Sequence, residues 1–319
     1  MRTSGFQKKI QITICRPPNV SIELKEGELL LYNVYLKKNK YLEYEIRDLE
    51  SNAHVVIVPE KGGIVTSFNI NGKELLYIDN EMFHESNNIC AGGNPVLFPI
   101  CGDLKEGRYT VEKADYHLEP HGFARMLPWE VLEIGNGETG FLTVGLKADS
   151  LTKKVYPYDF KIRFTYVLEK NSLYIKQEYI NNSENEMPFY SGFHPFFNSK
   201  CKKNIKIDMN SSRYMDYNEG KIKEYKGCID FEKGVDFVFY LNTFEKNRCC
   251  ITGLDGEDRM SIEMSDQYKH IVVWTLPNSE FVCIEPWMAS PDAMNTGDGL
   301  CRVAPGQSLT SWIKIIIEN

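Results

Sequence analysis

Residues 161–179 read KIRFTYVLEKNSLYIKQEY, and apolar and polar side chains alternate along both halves of this stretch. The apolar positions are Ile162, Phe164, Tyr166 and Leu168 in the first half, and Leu173, Ile175 and Tyr179 in the second. Side chains of a β-strand point alternately to opposite faces of the sheet, so a period of two indicates strands with one buried face.

Turn-forming dipeptides separate further apolar segments of the chain. Asn71-Gly72, Asn136-Gly137 and Asp255-Gly256 each lie between two such segments, and each pair suits a two-residue hairpin turn in which both residues have positive φ. No long amphipathic helix and no glycine-rich nucleotide motif interrupts this pattern. The sequence therefore predicts an all-β fold, a large antiparallel sandwich or barrel.

Composition excludes several classes of function. The 319 residues include 37 Lys and Arg against 44 Asp and Glu, a formal net charge of −7, which disfavours general binding of nucleic acid or anionic membranes. The nine cysteines form no C-x-x-C pair, so we expect reduced thiols in a cytoplasmic protein, with no metal site. No apolar run approaches the roughly 18 residues of a membrane span.

The domain organisation is read from the change of pattern along the chain. Residues 1–40 are less clearly periodic and contain Arg16-Pro17-Pro18 and Lys37-Lys38-Asn39-Lys40, so we interpret them as an N-terminal extension or added strands. Residues 41–319 show no linker, low-complexity segment or repeat, and we predict that they form one domain. The sequence indicates no oligomeric state.

Two histidines and one glutamate stand in settings that favour function. His121 and His194 are flanked by Gly and Pro, which place them at strand ends or in loops, although a lone His is more often structural. Glu285 follows the apolar segment Phe281–Ile284 and precedes Pro286, where burial would raise its pKa towards that of a general base. The alternative for Glu285 is a surface carboxylate or an ion pair with Arg302.

Four segments, in this order, resemble the aldose 1-epimerase (galactose mutarotase-like) family: GGNPVLFPICG at 92–102, HGFAR followed by Trp129 at 121–129, GFHPFFN at 192–198 and EPWMASPDAMN at 285–295. The resemblance covers roughly Tyr41 to the C-terminus. It implies a large antiparallel β-sandwich, the galactose mutarotase-like supersandwich, and an isomerase that interconverts the α and β anomers of an aldose.

The resemblance also implies catalytic roles. Glu285 matches the general base and His194 the general acid, while His121 matches a second histidine that contacts the sugar. Ring opening needs a base at the C1 hydroxyl and an acid at the ring oxygen, which we expect on opposite sides of the anomeric centre. This chemistry requires no metal and no redox cofactor.

Further residues match sugar-binding positions less specifically. Asp236 is the best match to an Asp that binds sugar hydroxyls, and either Arg125 or Arg108 matches an Arg that helps to hold the sugar. Trp287, Trp129 and Trp274 are candidates for stacking on a sugar face, or for the buried core.

We predict a free-sugar 1-epimerase, with a hexose-6-phosphate 1-epimerase as the main alternative. The presence of both candidate acid/base residues argues against a non-catalytic carbohydrate-binding protein, and the single carboxylate in a motif argues against a lyase or hydrolase on a related sandwich. His121-Gly122-Phe123 and Glu285-Pro286-Trp287 depart from the His-Gly-Gly and Glu-Thr-Gln segments of standard galactose mutarotases, and HGFAR is shared with the hexose-phosphate branch. Because few cations lie near the motifs, we expect free hexoses to be preferred.

Overall fold

The structure is a computed structural model that describes residues 31–86, 88–241, 247–255 and 259–318. Strands account for most of these residues, and all of the strand ladders are antiparallel. The first strands are β1 (Tyr32–Lys38), β2 (Leu42–Asp48), β3 (Ala53–Val58), β4 (Ile64–Ile70), β5 (Lys73–Glu74), β6 (Val96–Leu97), β7 (Arg108–Val111), β8 (Ala114–His117), β9 (Glu130–Gly135), β10 (Gly140–Lys147), β11 (Phe160–Glu169) and β12 (Ser172–Asn181).

The second half of the chain continues in the same way, and helices are few and short. The later strands are β13 (Met187–Phe189), β14 (Gly192–Phe193), β15 (Phe196–Asn198), β16 (Lys206–Met209), β17 (Ser211–Asp216), β18 (Lys221–Glu224), β19 (Val235–Leu241), β20 (Arg248–Thr252), β21 (Arg259–Met264), β22 (His270–Thr275), β23 (Phe281–Trp287), β24 (Cys301–Val303) and β25 (Ser308–Glu318). The α-helices are α1 (Asn80–Glu85), α2 (Thr152–Val155) and α3 (Ala293–Thr296), and short 3₁₀ turns occur at Pro59–Lys61, Ile89–Ala91, Lys105–Gly107, Ala124–Met126 and Phe231–Lys233.

Two eight-stranded sheets and one five-stranded sheet make up the sandwich. The first large sheet has the order β16-β20-β21-β25-β12-β11-β10-β9, and the second has β18-β17-β19-β22-β23-β14-β6, with β15 also paired to β23. Strands β1 to β5 form the smaller sheet in sequential order. The predicted all-β antiparallel sandwich is confirmed.

Residues 161–179, in which apolar and polar side chains alternate, form strands β11 and β12 in the interior of the first large sheet. β11 and β12 pair from Phe160 with Asn181 to Glu169 with Ser172, and their predicted apolar faces are buried. The ring of Phe164 lies 5.9 Å from that of Phe193 in the second large sheet, so side chains of the two sheets share one core. Burial of this apolar face fixes the register, because a slip of one residue would expose it.

The predicted hairpins differ in their outcome. Asn71-Gly72 is a two-residue turn, since Ile70 pairs with Lys73 and both turn residues have positive φ. At Asn136-Gly137 the flanking strands pair, but Gly135 is opposite Phe141, so the predicted two-residue turn is wrong and the loop is longer. Its Gly137 pairs instead with Tyr32 of β1. β20 and β21 pair as predicted around Asp255, whereas Gly256 lies outside the described residues.

Part of the predicted N-terminal segment is described. β1 pairs with β2 over its whole length, from Tyr32 with Asp48 to Lys38 with Leu42, so residues 32–38 lie in the same sheet as the start of the predicted domain. Residues 1–30 lie outside the described part of the chain, and the division at residue 40 stays a prediction. Among the described residues no helix is long and apolar enough to cross a bilayer.

Candidate active site

Three adjacent strands of the second large sheet present pairs of side chains into one pocket. Asp236 and Val238 of β19, Val272 and Trp274 of β22, and Glu285 and Trp287 of β23 all line it. Members of each pair are two residues apart and therefore point to the same face of the sheet. The pocket volume is about 290 Å³, a size suited to one small ligand. The remaining lining residues are Ile89, Cys90, Gly102, Asp103, His121, His194, Tyr217 and Pro291.

Strand pairing brings His194 against Glu285. Gly192 of β14 pairs with Trp287, and Phe196 of β15 pairs with Cys283, so His194 and Pro195 interrupt the ladder opposite Glu285. His194 Nε2 lies 3.3 Å from Glu285 Oε1, and the two side chains are 7% and 1% exposed. The His194 ring stacks on Phe196 with centroids 4.6 Å apart, which fixes its plane.

Burial governs the protonation of this dyad. Desolvation raises the pKa of Glu285 well above its usual value, and the negative charge of Asp236 raises it further. Desolvation lowers the pKa of His194 well below 6.5, with smaller contributions from the neighbouring His121 and Arg125. A proton shared by the pair therefore favours the carboxyl group, leaving the imidazole neutral.

Hydrogen bonds to Gly102 fix the orientation of His121 and leave the Nε2–H of its ring as a donor. Its backbone N–H donates to Gly102 O at 2.9 Å, and its Nδ1 accepts from the Gly102 N–H at 3.1 Å. Desolvation, with a smaller effect of Arg125, lowers the pKa of His121 to about 4, so the ring is neutral near pH 7. A neutral imidazole that accepts at Nδ1 carries its proton on Nε2. His121 lies 5.5 Å from His194 between ring centroids.

Trp287 donates a hydrogen bond to the carboxyl group of Glu285. Its indole Nε1–H donates to Glu285 Oε2 at 3.1 Å, and this hydrogen bond lowers the pKa of Glu285, against the larger effect of burial. The side chain is 5% exposed and packs edge-to-face on His121. Trp274 also lines the pocket, edge-to-face with His194, whereas Trp129 donates to Ala124 O in the core and is absent from the described lining.

The two candidate arginines lie outside the described lining of the pocket. Arg108 is half-exposed, pairs with Glu106 and borders a separate surface groove. Arg125 lines a narrow crevice with Lys61 that shares Ile89 with the pocket, and its charge lowers the pKa of His121 and of His194. The structure therefore places Arg125 nearer to the site than Arg108.

Asp103 and Tyr217 line the pocket but carry no motif signal in the sequence. Asp103 lies in the loop after GGNPVLFPICG, and its carbonyl accepts from the Asp292 N–H at 2.8 Å. Tyr217 follows β17 and its N–H donates to Asp236 O at 3.0 Å. Asp292 belongs to the EPWMASPDAMN segment, so its hydrogen bond to Asp103 holds the Asp103 loop at the rim of the pocket.

One group of side chains has the composition of a metal site. A ligand atom from each of His194, Cys283 and Glu285 lies within 4.8 Å of the other two. Cys283 and Glu285 are two residues apart on one face of β23, which accounts for their closeness. Burial raises the pKa of the Cys283 thiol well above its usual value, and a protonated thiol is a poor ligand. Of these three side chains, His194 and Glu285 belong to the described lining of the pocket and Cys283 does not.

The fold and the pocket define a class of antiparallel β-sandwich protein with a buried histidine–glutamate pair in a cavity the size of a small ligand. A sequence model of the aldose 1-epimerase family matches residues 46–315, so the chain belongs to the aldose 1-epimerase family and is an isomerase acting on carbohydrates.

Several known proteins are similar to this chain. The plasmid-encoded LacX protein of Lactococcus lactis subsp. lactis is 22% identical over 289 residues, which is 82% of this chain and 89% of LacX. A provisionally named glucose-6-phosphate 1-epimerase of Escherichia coli (strain K12) is 25% identical and matches 68% of this chain and 74% of its own. The crystal structure of Slr1438 from Synechocystis sp. PCC 6803 matches with a TM-score of 0.85 and 31% identity, over 90% of this chain and 99% of that one.

Proposed function

We propose that the protein is an aldose 1-epimerase that interconverts the α and β anomers of a free aldohexose. The observation that carries the proposal is the buried contact between Glu285 and His194, 3.3 Å apart in a pocket of about 290 Å³. An epimerase needs a paired acid and base that can exchange roles, and a dyad sharing one proton provides this.

The proposed reaction begins with a proton shift within the dyad. The proton first lies on Glu285, and hydrogen bonds from the bound sugar, added to the one from Trp287, would favour its transfer to His194 Nε2. Glu285 then takes the proton of the C1 hydroxyl while His194 protonates the ring oxygen. The C1–O5 bond breaks and an open-chain aldehyde forms. In this step Glu285 gains one proton and His194 loses one, so the sugar and the dyad together exchange no proton with solvent.

Ring closure repeats these steps in reverse. Rotation about C1–C2 turns the other face of the aldehyde towards the C5 hydroxyl, which attacks as His194 takes back its proton and Glu285 protonates O1. Because O1 and O5 are both bonded to C1, a contacting acid and base can serve both atoms from one side of the sugar. The contact between His194 and Glu285 supports a proposed arrangement in which both groups face the anomeric centre from one side, while the arrangement on opposite sides stays the alternative.

Three other residues have supporting roles in this proposal. His121 donates from Nε2 to the sugar, Trp287 orients the base, and Asp236 accepts from sugar hydroxyls. Arg125 acts through its charge on the histidines and Arg108 takes no part. The name of the Escherichia coli relative favours a hexose 6-phosphate as a second candidate substrate.

Polarimetry of freshly dissolved α-anomers tests the proposal, with free glucose and galactose compared with glucose 6-phosphate and a protein-free blank. We expect an accelerated approach to the equilibrium rotation, with kcat/KM highest for a free hexose. A phosphate substrate that wins by tenfold or more, with an advantage that shrinks as salt rises, would assign the second candidate. If no sugar reaches its equilibrium rotation faster than in the protein-free blank, the protein is instead a carbohydrate-binding protein without turnover.

A further inference from the structure

The lining of the pocket has an uneven charge. It includes three carboxylates, those of Asp103, Asp236 and Glu285, and within the described residues it includes no Lys or Arg. Glu285 belongs to the dyad and its burial favours the protonated form, so Asp103 and Asp236 supply the negative charge. Independently of these charges, His194 and Glu285 are both more than nine-tenths buried and line the same pocket, which marks it as a ligand site.

Asp103 and Asp236 act on the same space. Desolvation raises the pKa of Asp236 and of Tyr217, which both line the pocket, and the charge of Asp103 makes a smaller contribution in the same direction to each. Asp103 is exposed and also borders the larger groove next to the pocket, so it lies where the two meet. The hydrogen bond from Asp292 N–H to the Asp103 carbonyl fixes this position and leaves the carboxylate available to a ligand.

We propose that Asp103 is a specificity-determining residue that, together with Asp236, favours neutral and cationic sugars over anionic ones. This inference rests on the proposed function, because it concerns the substrates of the same pocket. It adds a residue that no motif assigns, and it names a further substrate class: amino sugars, whose ammonium group pairs with a carboxylate.

The physical reason is that ligands differ in the hydrogen-bond donors and the charge that they bring to the carboxylates of the pocket. A carboxylate accepts hydrogen bonds from hydroxyl groups and more strongly from an ammonium group. A phosphate dianion offers only acceptors and meets like charge, which costs free energy when no cation shares the pocket. Asp103 is reached by solvent, so its effect is modest and depends on salt.

The test compares the wild type with Asp103→Asn and with Glu133→Gln. The Asn variant keeps the backbone carbonyl that Asp292 contacts, and Glu133 is an exposed carboxylate of β9, in the other large sheet, whose loss changes the net charge equally. The ligands are glucosamine, glucose and glucose 6-phosphate. Calorimetric binding and kcat/KM for the α-anomers are both measured at low and high salt.

We expect the wild type to bind glucosamine best and glucose 6-phosphate worst. Asp103→Asn should reduce the ratio of glucosamine to glucose 6-phosphate affinity by about fivefold at low salt and less at high salt, while Glu133→Gln leaves it unchanged. An unchanged ratio in Asp103→Asn, or an equal change in Glu133→Gln, would overturn the inference. Because binding is measured separately, absent turnover with this order of affinities would contradict the proposed function and leave the charge selection standing.

Discussion

Glu285 combines two opposing effects on one carboxyl group. Burial and the charge of Asp236 raise its pKa, while the Trp287 N–H lowers it. A carboxyl that is fully buried beside a cation would stay ionised and make a weak base, whereas an unassisted one would stay protonated. We therefore propose that the indole tunes the pKa of Glu285, while stacking of Trp287 on a sugar stays a prediction.

Trp287→Phe tests this role. Loss of the N–H should raise the pKa of Glu285 further, so the rising limb of kcat/KM against pH should move to higher pH and the rate near neutrality should fall about tenfold or more. Trp129→Phe is the matched control, because its indole donates to a backbone carbonyl in the core. An unshifted pH profile in Trp287→Phe, or the same shift in the control, would remove the tuning role.

At the scale of elements, the loop at Gly102 joins several parts of the site. Gly102 has φ +75°, its N–H holds His121 Nδ1, and a Cβ there would lie 2.8 Å from the Trp287 ring and 2.9 Å from Pro291. Only glycine fits both the left-handed backbone and the space beside the indole. The loop thus sets the positions of His121 and of Trp287 at once.

Gly102→Ala should displace the Trp287 ring and lower kcat/KM by more than tenfold. Gly107→Ala is a close control, since Gly107 has φ +67° and a Cβ there would have its nearest neighbour at 3.8 Å. Both variants pay the backbone strain of about 1–2 kcal/mol, but only Gly102→Ala collides with the pocket. Equal activities of the two folded variants, measured by polarimetry, would contradict this explanation.

Element pairing also marks the limit of what the sequence could predict. The alternation at 161–179 predicted β11 and β12 because it depends on local side-chain direction. The contact between His194 and Glu285 depends on β14 and β15 both pairing with β23, which no local pattern encodes. The Asn136-Gly137 turn failed for a similar reason, because Gly137 pairs with Tyr32 of another sheet.

The resemblance to a family supplied the candidate roles of Glu285, His194 and His121 that local pattern could not. The preference for Arg125 over Arg108 rests on the effect of the Arg125 charge on the pKa values of the two histidines, which depends on the folded arrangement. Asp103 gave no signal at all, because a loop carboxylate gains a role only from the strands that surround it.

At the scale of the whole molecule, buried histidines lower the free energy of unfolding as the pH falls. His121 has a pKa of about 4 in the folded protein, below the usual value of 6.5, so the unfolded chain binds more protons between these pH values. The contribution of His121 to stability is therefore fully present above pH 6.5 and is lost as pH falls towards 4. His270, whose pKa is also lowered to about 4, adds to this loss.

His121→Asn should flatten that dependence. The share of His121 is on the order of 3 kcal/mol in the free energy of unfolding between pH 7 and pH 4. Urea unfolding of wild type and variant at several pH values measures it, and differences between the two curves cancel groups common to both. Parallel curves would show that His121 does not bind its proton more weakly in the folded protein.

The most direct test of the proposed function is the rate of anomer interconversion by Glu285→Gln, followed by polarimetry with α-glucose and α-galactose. The amide keeps the shape of the side chain but cannot take the C1 hydroxyl proton, so we predict a loss of at least about 10²-fold in kcat, with folding confirmed by circular dichroism. A folded Glu285→Gln variant that keeps more than about a tenth of the wild-type rate would contradict the assignment of Glu285 as the base.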